Sequence, residues 1–198
     1  MTQRHDHITD NRSKDFVFVP FCMLAQAFHA QGLVKYEWGG NLTPLLKTIL
    51  EADANIIQMP CLETLHHPDG LKRLPKGKKY YETPEFRRLC KDKAAEVIVQ
   101  IRDLLKNGYR IAAILGMEYS PSCAVNLQWP PKKGEPNMGI FMQELRACLE
   151  EAGIDVPVIG INRRGMQKTV DRLAACLDQA PSRKERQHEL GLAPPANP

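Results

Sequence analysis

The chain has 198 residues, of which 43% are hydrophobic and 25% are charged, and its formal net charge is +4. This length suits one folded domain with short tails, and this composition excludes a wholly disordered or membrane-embedded chain. The first residues lack the apolar core of a signal peptide, and no apolar run reaches the ~20 residues of a membrane-spanning helix, so we expect a cytoplasmic protein.

Both ends of the chain have the composition of tails. Residues 1–14 are polar with mixed charge, and residues 181–198 combine charged residues with four prolines. Segments of this kind bury too little apolar surface to fold by themselves. We therefore predict disordered tails at 1–14 and 181–198 around a single domain over residues 15–180.

In the first part of the chain, two apolar runs flank a helical pattern. The runs Phe16–Pro20 and Ala54–Met59 show no alternation of apolar and polar residues, which is typical of strands buried on both faces. Between them, Thr43 and Pro44 predict a helix start, with a hydroxyl N-cap and proline at the first helical position. The order strand, helix, strand predicts a parallel pair.

The same alternation continues through the second part. Another threonine–proline pair, Thr83 and Pro84, predicts the start of a long amphipathic helix that stops at Asn107 and Gly108. The elements predicted after it are a strand at Arg110–Leu115, a helix over 139–152, a strand at Val156–Ile161 and a helix over 166–177. This pattern predicts an α/β fold with a mainly parallel sheet of about four strands and right-handed crossovers.

Three of the six cysteines come directly after predicted strands. Cys22 follows the first strand, Cys61 the second and Cys123 the third, each near a proline that suits a sharp turn. Because the carboxyl ends of parallel strands meet at one edge, where ligands bind, we expect these three thiols to lie together. Three thiolates suit zinc or an iron–sulfur cluster, with one coordination position open. Any one of them alone is as consistent with a small buried side chain.

Several other residues have simpler interpretations. His66 and His67 have a spacing from Cys61 that zinc could use, but the turn signal Pro68-Asp69-Gly70 favours a solvated loop. The remaining cysteines lie in predicted helices, where a free cysteine is usually a small hydrophobic residue: Cys90, Cys148 and Cys176. We assign no chemistry to these five residues.

The segment Ser120-Pro121-Ser122-Cys123 after a strand, with Cys61-Leu62-Glu63 and Cys22 after the other two, resembles the thiouracil desulfidase family. The resemblance covers most of residues 16–164 and implies a Rossmann-like three-layer fold. It implies a 4Fe-4S cluster held by Cys22, Cys61 and Cys123, with a fourth iron open to the sulfur of a small thiolated heterocycle. The implied reaction is non-redox hydrolysis, in which water replaces the sulfur and sulfide leaves.

The chain departs from better-known members of that family at each motif. Cys22 leads into MLAQAFHAQG where an Arg-Tyr-Asp-Gly stretch is usual, Leu62 stands in place of a proline, and Ala124 stands in place of a glycine. These departures indicate a divergent branch, and they affect the expected substrate more than the expected cluster.

Two residues near the expected ligands are candidates for catalysis. The resemblance assigns Glu63 as the general base and Ser120 as the group that holds the water or donates a proton, while an open iron acts as a Lewis acid. The structural alternatives are that Glu63 begins an exposed loop and that Ser120 caps a turn. Glu118, between the third strand and Ser120, is a second candidate carboxylate.

The segment after Cys61 carries much of the excess charge. Residues 65–83 contain five basic and two acidic side chains. They could form a flap whose cations attract an anionic substrate and whose Tyr80 or Tyr81 stacks on a base, but a solvated loop with the tyrosines covering the core is the more common arrangement. Trp129, soon after Cys123, is the predicted substrate-binding wall of the pocket.

The sequence leaves one functional alternative open. A non-catalytic iron–sulfur or zinc-binding module, such as a sulfur carrier or a nucleic-acid-associated accessory protein, fits the same cysteines. Nucleic acid is an unlikely partner, reached only through the basic residues 72–79, and no membrane partner is expected. A nucleotide-binding α/β protein is disfavoured because no glycine-rich phosphate loop follows the first strand.

Overall fold

A computed structural model of the protein describes residues 12–34, 36–128 and 138–178. Within these ranges, four strands form one parallel sheet in the order β2-β1-β3-β4. The strands are β1 (Asp15–Pro20), β2 (Asn55–Met59), β3 (Arg110–Met117) and β4 (Val158–Ile161). The predicted α/β class and parallel sheet are confirmed, and the helices on both faces make a Rossmann-like three-layer fold.

The helices of the described ranges divide into long ones that cover the sheet and short ones at its carboxyl edge. The long helices are α2 (Thr43–Glu51), α5 (Pro84–Lys106), α6 (Ile140–Glu151) and α7 (Met166–Leu177), and the short ones are α1 (Phe21–Leu24), α3 (Leu62–His66) and α4 (Lys78–Tyr81). Helix α5 packs against α6, and α2 packs against α7, so each pair covers one face. Single 3₁₀ turns lie at Gln26–Phe28, Tyr36–Trp38, Gly70–Lys72 and Arg163–Gly165.

The core lies along the two central strands. Val17, Phe18 and Val19 of β1 are fully buried, and most of β3 is buried as well. Burying an aliphatic or aromatic side chain of this size contributes about 1.5–3 kcal/mol. Strands covered on both faces need apolar residues at every position, which explains why the sequence shows continuous apolar runs rather than alternation.

The helix-boundary predictions are confirmed for α5 and differ by one residue for α2. The Thr83 side chain accepts a hydrogen bond from the Phe86 N–H at 3.2 Å, and Gly108 after the helix has a φ of +80°. At α2, however, Leu42 is the N-cap and Thr43 is already helical. The prediction that the Thr43 hydroxyl caps this helix is wrong, because the hydroxyl donates to the Asn41 side chain at 2.9 Å instead.

The basic segment is more ordered than its sequence indicates. Residues 65–83 include the end of α3, the turn Gly70–Lys72 and all of α4. His67 is buried and its ring stacks on Tyr80 at 5.4 Å, so its interpretation as part of a solvated loop is wrong. The expectation that the tyrosines cover the core is confirmed for Tyr81, which is fully buried and lies 5.0 Å from the Phe86 ring.

Two further expectations concern the tails and membranes. Of the predicted tails, only residues 12–14 fall within the described ranges; there the Lys14 carbonyl accepts the Arg110 N–H at 2.8 Å, next to β1 and β3. The other tail residues lie outside the described chain, and their disorder stays a prediction. None of the described helices has the length and apolar character to cross a membrane.

A cysteine-lined cavity at the carboxyl edge of the sheet

The loops that leave β1, β2 and β3 surround one cavity of about 640 Å³. Cys22 lies in α1 directly after β1, Cys61 is the N-cap of α3 after β2, and Cys123 lies in the turn after β3. All three line this cavity. The structure thus brings together the three thiols that the topology predicted to meet at this edge.

Two of these thiols are deeply buried. Cys22 and Cys123 expose less than a tenth of their surface. Burial raises the pKa of both thiols well above the ordinary value, and the nearby Cys61 and Glu63 raise the pKa of each further. Both side chains are therefore protonated at neutral pH, and a metal or cluster that binds them must displace their protons.

Cys61 has a more polar environment. Its sulfur accepts a hydrogen bond from the Thr64 hydroxyl at 3.2 Å and lies 3.6 Å from Nη2 of Arg73. The thiol in turn donates to the carbonyl oxygen of Phe28 at 3.7 Å. The Cys61 sulfur therefore has two hydrogen-bond donors and one acceptor around it.

The Glu63 carboxylate lies at the centre of a polar cluster in the same cavity. Its Oε1 accepts hydrogen bonds from the hydroxyls of Ser120 at 2.7 Å and Ser122 at 2.9 Å. Its Oε2 is 3.5 Å from Nη2 of Arg73. The side chain is 12% exposed and belongs to α3, so the alternative in which Glu63 begins an exposed loop is wrong.

The turn after β3 is organised by Ser120. Its hydroxyl oxygen accepts the backbone N–H groups of Ser122 at 3.2 Å and Cys123 at 2.9 Å, while its proton is directed to Glu63. Ser120 therefore has both the turn-capping role and the contact with the candidate base. Ser122 belongs to the same sequence motif, which assigns it no role, and its hydroxyl also lies 3.3 Å from the Cys123 sulfur.

Glu118, the second candidate carboxylate, makes structural hydrogen bonds to the chain that follows β3. It is buried and accepts the backbone N–H groups of Val125, Asn126 and Leu127 and the Asn126 side-chain amide at 2.8–3.2 Å. Gly160 on β4 leaves the space for this carboxylate, since a methyl group there would overlap it. These bonds occupy both oxygens of Glu118, so Glu63 is the candidate carboxylate that remains for acid–base chemistry.

The role of Glu118 can be tested by stability. Glu118→Gln should lower the free energy of unfolding by about 2–4 kcal/mol, because the amide offers one oxygen in place of two and adds a donor facing other donors. Urea unfolding of the variant measures this loss, with Glu151→Gln, at an exposed position at the end of α6, as the control. A loss below about 0.5 kcal/mol, the usual range for surface substitutions, would contradict the assignment.

The cavity also contains side chains that the sequence did not single out. His29 is buried, and desolvation, with smaller effects from Arg163 and Arg73, lowers its pKa to about 4, so its imidazole is neutral at pH 7. Arg163 also lines the cavity and donates to the Leu33 carbonyl oxygen at 2.6 Å. No spacing rule marks these residues, since they come from loops that only the folded chain brings together.

Charge in the cavity is predominantly positive. The basic residues of its lining are Arg73, Lys76, Lys78, Arg163 and Arg164, and its acidic residues are Glu63 and Glu118. Part of the basic segment therefore borders the site. Trp129, the predicted substrate-binding wall, lies outside the described residues, although its neighbour Gln128 lines the cavity.

The chain is 28% identical over 148 residues to the uncharacterized protein MJ0003 of Methanocaldococcus jannaschii, an alignment that covers 75% of this chain and 86% of the relative. No family model matches the sequence. No solved structure matches it either.

Proposed function

We propose that this protein is an iron–sulfur-dependent desulfidase that removes sulfur from a thiolated nucleobase-like compound by non-redox hydrolysis. The observation that carries the proposal is the 2.7 Å hydrogen bond from Ser120 to Glu63 inside the cavity lined by three cysteines. Sulfur ligands, a carboxylate and hydroxyl groups are the components needed to bind a sulfur atom and activate a water beside it. The cavity volume is in the range of small-molecule sites.

The donor set supports a cluster as the resident cofactor. Cys22, Cys61 and Cys123 supply three soft ligands from three strand ends, and the Cys61 sulfur has hydrogen-bond donors of the kind that tune cluster potentials. Within the described residues, no three histidine, cysteine, aspartate or glutamate side chains are arranged to hold one metal ion, and this placement favours neither zinc nor a cluster.

In this proposal, Cys22, Cys61 and Cys123 would hold a 4Fe-4S cluster. When bound, the cluster supplies an iron that acts as a Lewis acid toward the substrate's sulfur and makes the adjacent carbon more electrophilic. The carbon–sulfur double bond is replaced by a carbon–oxygen double bond. Water provides the oxygen, its two protons leave with the sulfur as hydrogen sulfide, and no electrons are exchanged.

In this proposal, side chains of the protein deprotonate the water and transfer its protons. Glu63 takes a proton from the attacking water at its carboxylate, and Ser120 and Ser122 hold that carboxylate at Oε1. We assign to the Ser120 hydroxyl, which two backbone N–H groups hold, the transfer of the proton taken up by Glu63 to the departing sulfur. Trp129 as a wall for the heterocycle stays part of the proposal.

Iron and acid-labile sulfide in anaerobically prepared protein are the first test. We expect about four of each per chain, and sulfide release when the loaded protein is incubated with 2-thiouracil or 4-thiouracil. Zinc alone, or no metal after reconstitution, would overturn the cluster and the mechanism. A cluster without sulfide release from any thiolated base would instead support the non-catalytic module.

A further inference from the structure

Arg73 is a buried cation that enters the site from the segment after the turn Gly70–Lys72. Its side chain is 3% exposed. A buried guanidinium is tolerated when it is paired and hydrogen-bonded, and it binds planar acceptors in a fixed geometry that lysine does not reproduce. The groups that contact the guanidinium therefore indicate which atoms Arg73 holds in place.

The two ends of the guanidinium have different partners. Nη1 donates to the Thr64 hydroxyl oxygen at 2.7 Å. Nη2 donates to the Phe28 carbonyl oxygen at 2.7 Å and lies 3.5 Å from Oε2 of Glu63 and 3.6 Å from the Cys61 sulfur. One nitrogen thus faces both the proposed base and one of the proposed cluster ligands.

Thr64 extends this connection. Its hydroxyl accepts from Arg73 and donates to the Cys61 sulfur at 3.2 Å. The Cys61 sulfur therefore has one contact with Arg73 directly and another through Thr64. Hydrogen bonds to a ligand sulfur raise the reduction potential of a cluster, because they stabilise the added negative charge.

We propose that Arg73 is a positioning residue, which holds the Glu63 carboxylate and the Cys61 sulfur in one fixed arrangement. The inference rests on the proposed function, and it adds a residue to which neither the motifs nor the family resemblance assign a role. Arg73 does not touch the reacting atoms. It acts by keeping Oε1 of Glu63 turned toward Ser120 and by supplying donors to the sulfur that would bind iron.

The loaded enzyme gives one set of readouts. Arg73→Met should retain iron but lower kcat about 10–100-fold with KM changed less than about threefold, as expected when a base is misplaced by a fraction of an ångström to one ångström. The reduction potential of its cluster should fall, and Arg73→Lys should recover part of both losses. Arg102→Met is the matched control, since Arg102 is exposed on α5 and does not line the cavity.

The protein without a cluster gives an independent readout. Modification of Cys61 by iodoacetamide, followed by peptide mass spectrometry, should be several-fold slower in Arg73→Met and in Thr64→Val than in the wild type, because each variant removes a hydrogen-bond donor that contacts the sulfur. Arg102→Met should react at the wild-type rate. Thr64→Val leaves the buried charge in place and removes only the contact that reaches the sulfur through Thr64, so it tests that part of the arrangement if Arg73→Met does not fold.

The outcomes separate the two proposals. Wild-type Cys61 reactivity, kcat and cluster potential in folded Arg73→Met overturn the role of Arg73 and leave the desulfidase proposal standing. Wild-type protein that binds no iron and releases no sulfide overturns the desulfidase and the catalytic part of the inference with it. In that case, slower Cys61 modification in both variants still supports the contact between Arg73 and the sulfur, and an unchanged rate rejects it.

Discussion

Glu63→Gln should bind iron as the wild type does and release sulfide about 10²–10⁴-fold more slowly. Glutamine has the size of glutamate and can still accept a hydrogen bond from Ser120, so the cavity and the cysteines stay in place. It cannot take a proton from water at neutral pH. The effect is thus expected in kcat, with little change in iron content, although loss of the negative charge beside the buried Arg73 should also lower the free energy of unfolding.

The measurement pairs sulfide release with iron and acid-labile sulfide analysis of the same anaerobic sample. Glu51→Gln, which alters an exposed carboxylate at the end of α2, is the control for handling and for general loss of cofactor. Two results would contradict the role of Glu63 as base: turnover at the wild-type rate, or an inactive variant that has also lost its iron. The second result would place Glu63 in cofactor binding or folding instead.

Cys123→Ala should lose the cluster altogether. Each of three strand ends contributes one thiol to the site, so removing one thiol leaves two protein ligands for the three irons that need one. We expect iron and acid-labile sulfide to fall to background and sulfide release to stop. The fold should persist, because replacing a single buried sulfur by hydrogen removes little packing volume compared with the large core deletions that unfold domains.

Cys176→Ala separates loss of a ligand from general sensitivity of the thiols. Cys176 is half-buried on α7 and packs against the core without lining the cavity. Iron analysis, with circular dichroism as the check on folding, should show a normal cluster in this variant. If Cys123→Ala retains its iron, or if both variants lose it equally, Cys123 is not a ligand and the proposed site is wrong.

The sheet was predictable from sequence because its central strands β1 and β3 are covered on both faces; the edge strand β2, predicted to be buried on both faces, is only partly buried. Continuous apolar runs separated by helical segments fit few arrangements besides a parallel sheet between two helical layers. The predicted bounds of β1 and β2 agree with the structure to within one residue. β3 extends two residues further than predicted, to Met117, and β4 begins two residues later, at Val158. Such differences arise because the ladder hydrogen bonds, and not hydrophobicity, decide where a strand ends.

The site was predictable only in part. Convergence of the three cysteines follows from parallel topology, whereas the family resemblance assigned roles to Glu63 and Ser120 without predicting the hydrogen bond between them. In the sequence, Arg73 is one of several cations in a basic segment, and nothing there shows which of them folds inward. The resemblance put Glu63 ahead of Glu118 as the base, but the direction of each side chain, which distinguishes the two carboxylates physically, is visible only in the structure.

The position of β1 has a consequence for how the protein is made. β1 comes first in the chain yet lies between β2 and β3, and Cys123 follows β3. At translation rates of about 5–20 residues per second, Cys123 leaves the ribosome roughly 3–12 s after Cys61. During that interval two thiols are present without the third, and the sheet edge that would bring them together is incomplete. A cofactor held by all three must therefore be delivered after β3 has joined the sheet, to a domain that is already largely folded.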